Sequence, residues 1–407
     1  MNILVLNGSP KGKYSITLQT TNYLMQKYPD HNFEILDVGQ KTRSLERDFS
    51  PAAEMIDRAD LLIFSYPVYT FIAPYQLHRF IELLKASGMN LSGKFATQIS
   101  TSKHFYDVTA HRYIQDNCCD MGMKYIKGLS ADMDDLLTEK GQKEARDFLE
   151  YVCFCINNDI YEKSSVTVSE PKHRPVSVPE NKGDKQGDIV VLTNCESDDE
   201  QLKNMIARFQ AVMPRKTRIV NIGEYPFKGG CLGCLNCAVS GKCVYKDGFD
   251  DFLRNTIQTA QAIVIAFSIK DHSMGASFKL YDDRQFCNGH RAVTMGMPVG
   301  SLVSGEYSIE KNLQTILEGR AQVGGNFLCG VATDEQDPDT MIDRLAAAAE
   351  EGKATGVKGL PGKLGIEMAA EMIAKIKDEK LCDGVHIMAI GAEKNVPIIL
   401  DKAGITI

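Results

Sequence analysis

Four cysteines, Cys231, Cys234, Cys237 and Cys243, fall within the segment CLGCLNCAVSGKC at 231–243. Thiolates at C-x2-C-x2-C-x5-C spacing can wrap one soft metal centre, and Gly233 and Gly241 give the backbone the freedom to do it. Short C-x2-C steps suit a 4Fe–4S cubane. Tetrahedral zinc accepts the same four ligands, although zinc sites more often separate two C-x2-C knuckles by a longer loop. A redox dithiol needs only two of the four, and a vestigial motif needs none. The chain has twelve cysteines, and the other eight, Cys118, Cys119, Cys153, Cys155, Cys195, Cys287, Cys329 and Cys382, lie on apolar segments and read as buried small hydrophobes.

A second constellation opens the chain. Asn7-Gly8-Ser9-Pro10-Lys11 is followed by Ser15 and Thr17 at the start of a helical pattern. Unpaired backbone N–H groups and the helix dipole favour an anion there, and the hydroxyls and the lysine add donors, so a phosphate fits. The structural alternative is that Ser15 or Thr17 only caps the helix. A third segment, Pro67-Val68-Tyr69-Thr70-Phe71, leaves another strand, and Ser100-Thr101-Ser102-Lys103-His104-Phe105-Tyr106 leaves a third. Loops at the carboxyl ends of parallel strands converge on one crevice.

The elements that must position these residues occur twice. ILVL at 3–6, ADLLIFS at 59–65 and KFATQIS at 94–100 read as buried strands, separated by helices such as the one striped by Leu77, Phe80, Ile81 and Leu84. A long helix at 139–158 closes the first copy. Near-continuous apolar strands between helices imply a parallel sheet covered on both faces. Residues 163–187 hold prolines and polar residues with no sustained period and read as a linker. The pattern then restarts: DIVVLTN at 188–194 mirrors NILVLNG, and AQAIVIAFS at 260–268 mirrors ADLLIFSYP. The interval between those two strands is longer in the second copy, and the cysteine segment lies inside it. The expected organisation is 1–162, a linker at 163–187, 188–352 and a C-terminal extension at 353–407.

The repeat resembles two tandem flavodoxin-like domains, doubly wound α/β parallel sheets of the class that includes NAD(P)H-dependent FMN reductases and iron-sulfur flavoproteins. The resemblance rests on the GSPK loop with its S-x-T, on Pro67-Val68-Tyr69 and on the cysteine motif. It implies FMN in the first domain, its phosphate on Ser9, Lys11, Ser15 and Thr17 and its ring bordered by Pro67, Val68, Tyr69, Thr70, Phe71, Thr101 and Ser102. It also implies a 4Fe–4S cluster on Cys231, Cys234, Cys237 and Cys243. Lys11 stands where the family usually has arginine, which replaces a bidentate fork with a point charge. Lys246-Asp247-Gly248 replaces the two successive acids that often follow the last cysteine. In the second copy the phosphate loop reads Thr193-Asn194-Cys195-Glu196-Ser197-Asp198-Asp199-Glu200, whose carboxylates repel a phosphate, and Ser268-Ile269-Lys270 replaces P-V-Y. That copy is expected to have lost the flavin.

The resemblance implies a redox flavoprotein moving electrons between a reduced donor, NAD(P)H or a ferredoxin-like carrier, and a small-molecule or protein acceptor. A flavin-only reductase of quinones or other small acceptors with structural cysteines, and an electron-carrying subunit of a larger complex, remain as alternatives. No general acid or nucleophile is required, so no catalytic residue is assigned. Contact between the domains or a homo-oligomer must bring the two sites together. With 43% apolar and 24% charged residues and a net charge of −7, the composition is that of a globular protein and argues against a nucleic-acid partner. No signal peptide is recognisable, and no run approaches the ~18 apolar residues of a membrane span, so a cytoplasmic location is expected. Residues 363–407 are similar to the final elements of methylenetetrahydrofolate reductase. That similarity leaves two readings open: a helix–strand–helix unit packing on the second domain, or a docking element for an enzyme of one-carbon metabolism.

Overall fold

The computed structural model describes residues 1–163, 173–181, 185–289, 291–354, 360–381, 384, 387 and 395–405; of 353, 354, 360–365, 367 and 368 only the helical backbone is described. The first half runs β1 (Asn2–Asn7), α1 (Ile16–Lys27), β2 (Asn32–Leu36), α2 (Val38–Arg47), α3 (Ser50–Arg58), β3 (Leu61–Pro67), α4 (Tyr75–Ala86), β4 (Phe95–Ser102), α5 (Asp107–Asp120), β5 (Lys124–Tyr125), β6 (Leu129–Asp132) and α6 (Glu139–Asn157). The second runs β7 (Ile189–Thr193), α7 (Glu200–Val212), β8 (Thr217–Asn221), α8 (Asn236–Ser240), α9 (Phe249–Phe252), β9 (Ala262–Ser268), α10 (Gly275–Arg284), β10 (Pro298–Ser304), α11 (Lys311–Gly324), β11 (Phe327–Thr333) and α12 (Pro338–Ala354). The tail adds α13 (Leu360–Asp378) and α14 (Val396–Lys402).

Both sheets are parallel and wound alike. The first has the order β2-β1-β3-β4-β5 with β6 also paired to β4, and the second has β8-β7-β9-β10-β11. Each is the doubly wound, flavodoxin-like order, with the strand reversal beside its first strand. Burial on both faces explains the apolar runs. Leu4, Leu6, Leu62 and Phe64 pack under α4 and α5, while Ile3, Val5, Leu61 and Ile63 pack under α1 and α6. The second sheet repeats this, with Val190 and Leu192 against Phe278, Tyr281 and Leu313, and Ile189 and Val191 against Leu202, Phe209 and Ile342. The helices begin on polar caps: Ser15 Oγ accepts from Leu18 N, Thr138 Oγ1 from Gly141 N and an Asp199 carboxylate oxygen from Leu202 N.

The structure differs from the sequence reading at the seams. The described part of the expected linker lies on the second half, where Arg174 N donates to Asp334 O and Arg208 Nη1 to Ser177 O, both at 2.7 Å. Polar anchors, which no hydrophobic period reveals, hold it. The helix α12 continues to Ala354, and α13 begins at Leu360, earlier than the apolar stripe suggests. Of the expected strand at 384–391 only Gly384 and Ile387 fall among the described residues, and Cys382 lies outside them. Among the described residues, no helix is long and apolar enough to cross a membrane.

Candidate functional site

The carboxyl ends of β1, β3 and β4 open on a cavity of about 890 Å³. Its lining brings together Ser9, Lys11, Ser15 and Thr17, then Pro67, Val68, Tyr69, Thr70 and Phe71, then Thr101, Ser102, Lys103 and Phe105, while Ser100, His104 and Tyr106 of the third loop are not part of it. The far wall is the cysteine loop of the second half, with Cys231, Cys234, Cys237 and Cys243. Residues of both halves of the chain therefore line one space.

The phosphate-type loop is held from below. Gly8 N donates to Ser65 O, Asn7 Nδ2 to Asp37 Oδ1, and Ser9 N to Asn7 Oδ1. Gly39 of α2 lies so close that a Cβ there would sit 2.2 Å from Ser9 O. Ser15 does cap α1, but Thr17 Oγ1 is buried with no partner, and so is Thr101 Oγ1 at the end of β4. Buried hydroxyls without partners are costly, and both of these belong to residues that line the cavity.

The loop after β3 is bent back on itself. Tyr69 N donates to Ile72 O and Ile72 N to Tyr69 O, with Thr70 and Phe71 in left-handed conformations at φ 46° and 74°. Val68 N is tied to Thr101 O, and Phe71 packs edge-on against Tyr106 with ring centroids 4.5 Å apart. Tyr106, one of the aromatics of the third loop, also reaches the second half by donating to Gln322 Oε1. His104 Nδ1 sits 2.9 Å from Asp107 Oδ2, whose carboxylate also accepts from the Ser102 and Ser130 hydroxyls.

The cysteine loop turns through left-handed residues at Gly233, Leu235 and Gly241, with φ between 58° and 67°. A side chain at Gly233 would collide with Tyr69, its Cβ 2.0 Å from Tyr69 Oη. Gln76 Nε2 donates to Cys231 O at 3.2 Å, and Cys237 Sγ lies 3.3 Å from Phe286 O. Burial pushes the Cys231 thiol up to about 12 and raises Cys237 too, so as free thiols both hold their protons. A metal would have to displace them. Tyr69, against this loop, is raised by burial and by the nearby Cys231.

Sequence reasoning missed several wall residues. Arg284 is almost completely buried, its Nη groups bound to Asp247 and Gly229 O, its guanidinium 4.7 Å from the Tyr245 ring centroid and its Nε without a partner. Asp247, where the family pattern is broken, is thus the partner of this cation. Cys287, read as a plain core residue, lines the same cavity, its thiol pushed up to about 12 by burial. In the second copy Asp199, the cap of α7, also accepts from the Ser268 hydroxyl.

Residues 1–131 match the family model described as NADPH-dependent FMN reductase. No curated protein matches the chain. Among solved structures the chain is similar to general stress protein 14 from Treponema denticola in complex with FMN, at 14% identity over 38% of this chain and 98% of that one, TM-score 0.31. It is likewise similar to the NAD(P)H:quinone oxidoreductase from Methanothermobacter marburgensis, at 14% identity over 40% of this chain and 98% of that one, TM-score 0.31.

Proposed function

We propose that the chain is an oxidoreductase of NAD(P)H or a reduced protein carrier that holds FMN in its first half and a 4Fe–4S cluster on the cysteine loop of its second. The observation that carries this is the single cavity lined by the loops after β1, β3 and β4 and by all four motif cysteines. The match of residues 1–131 to FMN reductases supports the flavin.

The residues supply donor types suited to both groups. The N-terminus of α1, Ser9, Lys11 and the unpartnered Thr17 hydroxyl would hold the phosphate, and Thr101, also unpartnered, with Ser102 would meet the polar edge of the ring. Pro67, Val68, Tyr69, Thr70 and Phe71 would border its face. Cys231, Cys234, Cys237 and Cys243 supply the soft thiolate set that a cluster takes. FMN, when bound, exchanges two electrons with a nicotinamide and one with a cluster, so the pair couples hydride to single-electron transfer. The chain's part is to hold both in one apolar-walled space and limit the access of water.

A flavin-only reductase of small acceptors is the second reading. It draws on the fact that, among the described residues, no three His, Cys, Asp or Glu lie at metal-ligating spacing. Iron, zinc and flavin analysis with a visible spectrum, on protein purified without oxygen, separates the readings. Stoichiometric FMN and iron, with iron lost and FMN kept in Cys234→Ser, is the expected result. FMN without iron leaves the flavin-only reading, and no FMN uptake overturns both.

A further inference from the structure

The two halves meet along α4 and α10, and the contact is nearly symmetric. Asp283 Oδ2 accepts the N–H of Tyr75 at the start of α4, and Glu82 Oε1 accepts that of Ala276 at the start of α10, both at 2.8 Å. The helices therefore run antiparallel, each carrying a carboxylate to the other's N-terminus, where the dipole favours it. The preceding loops match too, since the Tyr69–Ile72 bridge has its counterpart in Lys270–Ser273.

One position breaks the symmetry. In this register Lys279 of α10 corresponds to His78 of α4. Lys279 Nζ donates to Tyr69 O at 2.6 Å and is paired with Asp283 in the same helix. His78 is equally buried, but neither of its ring nitrogens has a partner, and burial holds it well below the usual imidazole range, hence neutral. Among the described residues, Lys270 O in the second copy accepts from its own loop, from Ser273 N and Ser273 Oγ. At this position the grip on a loop carbonyl comes from one side, from Lys279 in the half that carries the cysteines, whereas the matching loop of the second half is held through its side chains, Asp271 by Lys85 and His272 by Asp120.

That loop has reason to need a grip. Thr70 and Phe71 both sit in a left-handed conformation that costs a residue with a side chain about 1 kcal/mol or more, and such strain persists only when the surroundings over-determine it. Lys279 on Tyr69 O, Asp283 on Tyr75 N and, at 3.5 Å, the Thr70 hydroxyl on Asp283 Oδ1 bracket the strained residues on both sides.

We infer that Lys279 and Asp283 are positioning residues for the flavin: from the second half they hold the loop Tyr69–Pro74 in its ligand-competent form, so that FMN in the first half reports on the docking of the half bearing the cysteines. The inference rests on the proposed reading that this loop borders FMN.

The test is FMN titration of the full chain by flavin fluorescence, with the visible spectrum of the bound flavin and the thermal midpoint recorded alongside. Lys279→Met keeps the volume and removes the donor, and Glu82→Gln weakens the mirror contact at the same interface without touching the loop. Lys279→Met should raise the FMN Kd about tenfold and shift the flavin bands, on the scale of losing one charged hydrogen bond. Glu82→Gln should lower the thermal midpoint and leave Kd and spectrum unchanged. If Lys279→Met fails to fold, Asp283→Asn carries the same readout. Wild-type affinity and spectrum in the loop-side variant, or equal loss of affinity in Glu82→Gln, overturns the inference alone. Failure of the wild-type chain to take up FMN overturns the functional reading and this inference with it.

Discussion

Glu82 of the first half accepts the backbone N–H of Ala276 in the second at 2.8 Å, with its side chain only 10% exposed. It also pairs with Arg79 and approaches Lys270 Nζ at 3.9 Å, so one carboxylate joins a helix N-terminus, its own helix and the opposite loop. Glu82→Gln keeps an acceptor but loses the charge. The expected cost is about 1–2 kcal/mol, the scale of a helix cap and of a charge-assisted hydrogen bond. Chemical denaturation should show a lower midpoint. An unchanged midpoint would mean that Glu82 adds nothing to the docking of α4 on α10.

His272 is the second seam between the halves. Its ring lies between Asp120 of α5 and Glu310 before α11, at 2.9 Å from each. Burial pulls its pKa down, but the hydrogen bonds and charges of the two carboxylates outweigh that and raise it to about 10. Lys85, on Asp120 and Asp271, adds a competing cation. Because the folded value lies above the ordinary 6.5, it is the charged ring that folding stabilises. Its contribution is complete below about pH 6.5 and is lost as pH rises through about 10. Stability measured from pH 6 to 10 should fall, and His272→Gln should flatten that slope while costing about 1–3 kcal/mol at pH 6, because it leaves the buried Glu310 carboxylate without its cation, whereas the part-exposed Asp120 keeps Lys85. A variant with the wild-type slope would remove His272 from the account.

What could be read from the chain alone divides by distance along it. The strands and the stripe Leu77, Phe80, Ile81 and Leu84 were legible because burial imposes a local period, and the phosphate-type loop because its donors are neighbours. The end of α10, KLYDDR, carries four charged residues, and Lys279, Asp282, Asp283 and Arg284 are all buried. Each finds a partner: Lys279 has Tyr69 O and Asp283, Asp282 has Arg320, and Arg284 has Asp247. Apart from the i,i+4 pair Lys279–Asp283, these contacts join residues far apart in the chain, and no pattern within one helix announces them. The shared cavity was foreseen only as a requirement, since it depends on how two separately legible sheets dock.

The tail offers a test of independence. Among the described residues, Ala370, Ile373, Ile399 and Ala403 form a small core with Ile366, Ala369, Ile387 and Ile405, all of them tail residues. A helix pair that buries its own stripe adds little to the stability of the sheets. Removing 360–407 should leave the thermal midpoint and FMN uptake unchanged, while a pull-down from cell extract should lose any partner that the tail recruits. A lowered midpoint would instead assign the tail to the packing of the second half, and partners retained after the deletion would rule out docking through it.

Thr17 separates a binding residue from a helix cap. Its hydroxyl is buried and unpartnered, whereas Ser15 already caps α1 at Leu18 N. A cap would lose stability on conversion to an apolar residue, but a hydroxyl with no partner gains when it is removed, because a desolvated polar group disappears. Thr17→Val conserves shape, so it should leave the ligand-free chain as stable or more stable. The same change should weaken FMN binding about tenfold, the scale of one hydrogen bond to a charged phosphate. Opposite signs in the two measurements identify a site built for a ligand. A loss of stability in the ligand-free chain with unchanged FMN affinity would return Thr17 to the helix.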